Sequence, residues 1–169
     1  MKRLEVIVNF VNIKLMSMDY IDYMKIALKE AMKSLKSDDV PVGAIIVKDN
    51  LILSKAHNEV EKRRDPTAHA ELLAVRKALK ILNEKYLLDC TMFTTLEPCT
   101  MCAGVLVLSR IKKVVFSAHD PKSGAGGSVL NILSNPQLNH RIEVVGGILE
   151  EESSKLLKEF FKKLRLKNG

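Results

Sequence analysis

Apolar side chains recur at Ile21, Met24, Leu28, Ala31 and Leu35, the spacing of one helical face, and predict an amphipathic helix ending near Lys36. The pattern then changes. Val42 to Val47 carries no charge, as expected of a strand buried on both faces. Asp49-Asn50 supplies turn chemistry, and Leu51 to Ala56 returns as the partner strand. After a polar stretch, Asp65-Pro66-Thr67 leads into a second helix that begins at His69-Ala70-Glu71 and carries Leu72, Val75, Leu79 and Leu82. Thr91 to Thr95 reads as a strand, Cys99 to Ser109 as a helix behind Pro98, and Lys113 to Phe116 as a strand, a crossover that requires parallel pairing. Ala118 to Ser128 is a glycine-rich loop, Arg141 to Val145 alternates like an outer strand, and Glu150 to Lys163 reads as a closing amphipathic helix. These elements predict an α/β fold of three layers, α/β/α, with helices on both faces of a mixed sheet of about five strands.

Composition narrows this little. A chain of 169 residues, 47% apolar, can bury one substantial core, so residues 18–169 are expected to form a single domain. Lys2 and Arg3 precede a run that Glu5, Asn9, Asn12 and Lys14 interrupt, with no small-residue cleavage site behind it; residues 1–17 are therefore expected to be an extension rather than a signal peptide. No apolar run approaches the roughly 18 residues that cross a bilayer, so no membrane partner is expected. Three cysteines without disulfide-like spacing suit the reducing cytoplasm, where thiols are kept for metal or chemistry. The net charge of +7 is compatible with a polyanionic partner such as nucleic acid without requiring one.

The chemistry is concentrated in two short motifs. His69-Ala70-Glu71 and Pro98-Cys99-Thr100-Met101-Cys102 supply one imidazole and two thiolates, three good zinc ligands. The two cysteines are spaced to share one face of a helix, and His69 and Glu71 can both reach an ion in front of a first helical turn. Three ligands leave a fourth position for water, whose pKa a zinc ion lowers to about 7, and Glu71 is placed to act as general base and acid. A purely structural zinc site would need a fourth protein ligand. Cys90 precedes its strand and so belongs at the opposite end of the sheet from Cys99, and His57 reads as a hydrogen-bonded spectator. H-x-E with P-C-x-x-C resembles the signature of zinc-dependent nucleobase deaminases.

From Val40 to Phe161 the sequence resembles the bacterial tRNA adenosine deaminases. The likeness is carried by Val40-Pro41-Val42-Gly43-Ala44, Asp65-Pro66-Thr67-Ala68 running into His69-Ala70-Glu71, Thr95-Leu96-Glu97-Pro98-Cys99, Met101-Cys102-Ala103-Gly104 and Ser109-Arg110-Ile111. The zinc motifs are shared with cytosine and guanine deaminases. Val114-Val115-Phe116, the run from Asp120 to Ser128 and Asn139-His140-Arg141 resemble the tRNA-acting members in particular. The resemblance implies a cytidine-deaminase-like fold, one zinc ion per chain, a homodimer, and conversion of the wobble adenosine of an anticodon to inosine, with an arginine tRNA bearing an ACG anticodon as the expected substrate. It further implies that Asn58 contacts the target nucleoside, that Asp120, Lys122 and Ser123 touch the anticodon stem-loop near the flipped base, and that Phe161 and Arg165 fall at RNA-contacting positions. Each has a plainer alternative: Asn58 and Asp120 could serve turns, and the aromatic and basic pair could be core and solvated face. Two other functions stay open at this stage, deamination of a free base or nucleoside and a non-catalytic zinc-stabilised RNA-binding module.

Overall fold

Asp19 caps the first helix, α1 (Tyr20–Ala31), its carboxylate accepting from the Asp22 N–H while the Asp22 carboxylate accepts from the Asp19 N–H. This reciprocal pairing satisfies two of the donors that a helix start leaves free. The computed structural model describes residues 18–168; the expected extension, residues 1–17, lies outside them. The buried face of α1 is Tyr23, Met24, Ala27, Glu30 and Ala31, turned from the predicted stripe so that Ile21 and Leu35 are exposed. The last predicted turn is wound instead as a 3-10 helix, Met32–Ser37.

Five strands follow: β1 (Gly43–Lys48), β2 (Leu51–His57), β3 (Thr91–Leu96), β4 (Lys113–Ala118) and β5 (Glu143–Val145), in the sheet order β2-β1-β3-β4-β5. β1 is antiparallel to β2 and β3, while β3, β4 and β5 run parallel. Asp49 and Asn50, at φ 50° and 61°, form the two-residue turn between β1 and β2; both adopt the left-handed backbone that tight hairpins favour.

Alternation along the strands sorts the core into two layers. Ile45, Val47, Phe93 and Val115 pack with Met24 and Ala27 of α1. Ala44, Ile46, Met92 and Val114 pack on the other face with α3 (Ala70–Leu82) and α4 (Thr100–Leu108). With α5 (Glu150–Asn168) against β3 and β4, this is the predicted mixed sheet covered on both faces. Gly43 lets β1 approach α1 so closely that a Cβ there would lie 2.1 Å from the Ala27 carbonyl oxygen. No helix among the described residues is long and apolar enough to cross a membrane.

Three boundaries differ from expectation. The polar stretch contains one helical turn, α2 (Val60–Arg63), whose N-terminal donors at Glu61 and Lys62 are taken by the buried Asp39 carboxylate at 2.6 and 3.3 Å, a cap no local pattern reveals. β5 is shorter than predicted because the Ile142 N–H bonds the Leu133 carbonyl at 2.8 Å instead of joining the ladder. α5 continues beyond Lys163 to Asn168, held at its far end by the Lys167–Asp38 ion pair.

Candidate active site

The β3-α4-β4 crossover puts the start of α4 at the C-terminal end of β3, and α3 lies beside α4 on the same face of the sheet. His69 is the N-cap of α3 (φ −71°, ψ 148°) and Cys99 the N-cap of α4 (φ −72°, ψ 174°). Both therefore stand just outside their helices with extended backbone. This corrects the expectation that the cysteines share a helical face: Cys99 precedes the first turn and Cys102 lies within it. Because His69 is non-helical, its side chain and that of Glu71 can face the same point despite their spacing.

Cys99 Sγ and Cys102 Sγ each lie 3.6 Å from His69 Nδ1, and the three ligand atoms are all within 4.8 Å of one another. Tetrahedral zinc with ordinary Zn–S and Zn–N bonds requires an S···N separation of about 3.5 Å, which both S···N distances match. Two helix N-termini point their dipoles at this spot, which favours negative charge there. The Cys99 thiol is pushed down to about 4, first by a hydrogen bond from Cys102 and then by His69, while that same bond and burial push Cys102 upward. The pair thus holds one proton that a cation would displace.

Glu71 is 4% exposed, and burial pushes its carboxyl up to about 7 against the weaker pull of its own backbone N–H and of His69. A carboxyl poised there can both take and give a proton at neutral pH.

His69, Glu71 and Cys99 open onto a cavity of about 560 Å³. Asn58, Asp120 and Ser123 also line it; Lys122, Phe161 and Arg165 do not, and all three are exposed. Asn58 is buried with its Nδ2 donating to the Val40 carbonyl at 3.2 Å, which fixes the amide orientation and leaves Oδ1 without a partner. A buried acceptor left unpaired beside a cavity is what a ligand donor would satisfy. Asp120 does serve a turn, its Oδ1 accepting from the N–H groups of Lys122 at 2.9 Å and Ser123 at 3.2 Å, while the Ser123 hydroxyl donates to Oδ2 at 2.5 Å. Cys90 is buried before β3, away from the ligand group, and His57 lies between Glu30 and Glu59 outside the cavity lining.

The chain matches the MafB19-like deaminase family over residues 18–165. A tRNA-specific adenosine deaminase of Aquifex aeolicus is 57% identical over 143 residues, covering 85% of this chain and 94% of the relative. This chain belongs to the tRNA-specific adenosine deaminase family. The family member of Bacillus subtilis is 48% identical over 145 residues, 86% of this chain and 90% of its own length. A solved structure from work on A-to-I editing by tRNA:A34 deaminases at the wobble position of transfer RNA superposes with a TM-score of 0.77 at 37% identity, covering 80% of this chain and 98% of that one.

Among the other residues that line the deaminase cavity, two bear most on the site. Phe160, rather than its exposed neighbour Phe161, is the α5 aromatic on the cavity wall. Its signal was the helical period of Ser153, Phe160 and Leu164, which places it inward. Glu97 stands between β3 and Pro98 and is buried. Burial alone would raise its pKa, but hydrogen bonds from the Ser128 hydroxyl and from the backbone of Asp120, Ser128 and Gly126 outweigh that and hold it below the usual carboxylate range. Its signal was a lone acid at the end of an otherwise uncharged strand.

Proposed function

We propose that this deaminase converts adenosine to inosine at the wobble position of a transfer RNA anticodon, with zinc held by His69, Cys99 and Cys102 and with Glu71 carrying the protons. The observation that carries the reading is a group of three donors that could hold a metal beside a buried carboxyl, opening onto a cavity of about 560 Å³, within the range of small-molecule sites. Zinc, when bound, supplies the Lewis acidity that makes water a nucleophile near neutral pH. Glu71 takes one proton from the attacking water and delivers it to adenine N1. It then passes the second proton to the amine at C6, which leaves as ammonia, so that water is consumed and inosine and ammonia are formed. Asn58 Oδ1 accepts a hydrogen bond from a donor on the nucleoside. Asn58→Ala is expected to raise KM for tRNA about tenfold with a smaller change in kcat, because a buried group paired only with bound substrate is lost; steady-state kinetics check this.

A base stacked in a duplex cannot reach such a cavity, whereas the splayed bases of an anticodon stem-loop can. Asp120 and Ser123 at the rim contact the flanking nucleotides, and Lys122, Phe161 and Arg165 meet the RNA farther out. A homodimer belongs to the same proposal. α4 carries no charged residue and Leu108 at its end is 77% exposed, which suits a helix covered by a second copy. The free thiols suit the cytoplasm. Residues 18–169 form the deaminase unit in this reading.

The test is inosine formation in a transcript of an arginine tRNA with an ACG anticodon, beside free adenosine, cytosine and guanine. Inosine at the wobble position with little turnover of the free compounds is expected. Deamination confined to free bases overturns the RNA reading.

A further inference from the structure

Glu97 is a charged side chain that the chemistry above does not use, and it is 1% exposed. Burying a carboxylate is costly unless every lone pair finds a donor. Here all the donors come from one place. Oε2 accepts from the Asp120 N–H at 2.9 Å and from the Ser128 hydroxyl; Oε1 accepts from the N–H groups of Gly126 at 2.9 Å and Ser128 at 3.0 Å. Every one of these groups belongs to the loop between Asp120 and Ser128. Backbone bonds run alongside: the Ala125 N–H donates to the Pro98 carbonyl at 2.8 Å, and Cys99 and Gly124 form an isolated antiparallel bridge. The fit leaves no slack, since a Cβ on Gly124 would lie 2.5 Å from the Glu97 carboxyl carbon and 2.6 Å from the Asp120 carbonyl oxygen.

The loop is the mobile kind by composition, with Gly124, Gly126 and Gly127 among its nine residues. Unanchored, it would sample many backbone states, and ordering them would be charged against RNA binding. Glu97 stands two residues before Cys99, so it references the loop to the same turn that presents a metal ligand. We propose that Glu97 is a positioning residue: its carboxylate holds the Asp120–Ser128 loop at a set distance from Cys99, so that the loop meets the nucleotides around the target while the target base reaches Glu71. This rests on the tRNA reading above.

Because the ordering cost falls on binding, its loss appears in KM. Glu97→Gln keeps the size and one carbonyl acceptor but turns an NH2 group toward the Asp120 N–H or the Gly126 and Ser128 N–H groups. Ser128→Ala removes a single donor and leaves the carboxylate in place. KM for the tRNA transcript is expected to rise about tenfold in Glu97→Gln and about threefold in Ser128→Ala, with kcat within twofold and metal content unchanged. In Glu97→Gln, amide hydrogen exchange at Asp120, Gly126 and Ser128 should accelerate at least about tenfold, with the amides of α4 unaffected. A fall in kcat at constant KM, loss of metal, or unchanged kinetics in both variants overturns the proposal. If Glu97→Gln does not fold, Ser128→Ala decides, and an unchanged KM there counts against it. Should the unaltered enzyme fail to deaminate tRNA, the functional reading falls, while the exchange comparison still judges whether Glu97 orders the loop.

Discussion

Glu71→Gln is expected to lower kcat for adenosine deamination by about a thousandfold or more, since general acid–base catalysis contributes roughly 10² to 10⁴ and the same group serves two proton transfers here. The amide has nearly the volume of the carboxylic acid, so folding and metal content should be retained. The assay is single-turnover inosine formation beside metal analysis of the same sample; a variant retaining even a tenth of the activity would remove Glu71 from the chemistry. The raised pKa gives a second readout. The folded chain binds this proton more tightly than the unfolded chain does, so the associated stability is fully present below about 4.5 and is lost as pH rises through about 7. Cys99, held down at about 4, contributes in the opposite sense over the same range, so in chelated protein the Glu71 contribution, on the order of 3 kcal/mol, is read as the difference in pH dependence between the unaltered chain and Glu71→Gln. Equal pH dependence of the two, measured by denaturant unfolding, contradicts the assignment of the buried proton to Glu71.

Removing the metal is the second large effect. Cys102 is fully buried and directed at His69, and no other His, Cys, Asp or Glu among the described residues joins the ligand group. Cys102→Ala should lower bound zinc well below one per chain and reduce inosine formation to background. It should also lower stability by at least about 2 kcal/mol, because an ion held only by the folded state stabilises it by mass action. Chelation of the unaltered protein should reproduce the loss of activity, and added zinc should restore it there but not in the variant. A Cys102→Ala protein with one zinc per chain and ordinary activity would disprove the ligand set.

Much of this was legible without coordinates. The uncharged run at Val42–Val47, the helical period after His69 and the strand-helix-strand spacing around Pro98 each reflect local physics. They specify a buried strand, an amphipathic helix and a parallel crossover, and the fold contains all three. The candidate ligand group was legible for a similar reason, because cysteines and histidines at helix starts carry their chemistry in residue type and spacing, and the fold does bring His69, Cys99 and Cys102 together. What failed was whatever depended on a partner distant in sequence. α2 exists because Asp39 caps it from across a loop, and α5 runs past Lys163 because Lys167 reaches Asp38.

The sequence by itself determined the α/β architecture, the donor types His69, Cys99 and Cys102 that could hold a metal and the carboxylate near them, because short-range periodicity and motif spacing encode all of these. Only the tertiary structure decided which groups are buried and against what. It brought the Cys99 and Cys102 Sγ atoms each to 3.6 Å from His69 Nδ1, left Asn58 Oδ1 unpaired beside the cavity, turned Phe160 inward instead of Phe161, and gave the four loop donors to Glu97. Burial and hydrogen-bond partnership between residues far apart in the chain arise only when the layers close, and they distinguish Glu71, whose carboxyl burial pushes up to about 7, from Glu97, whose buried carboxylate the loop donors hold below the usual range.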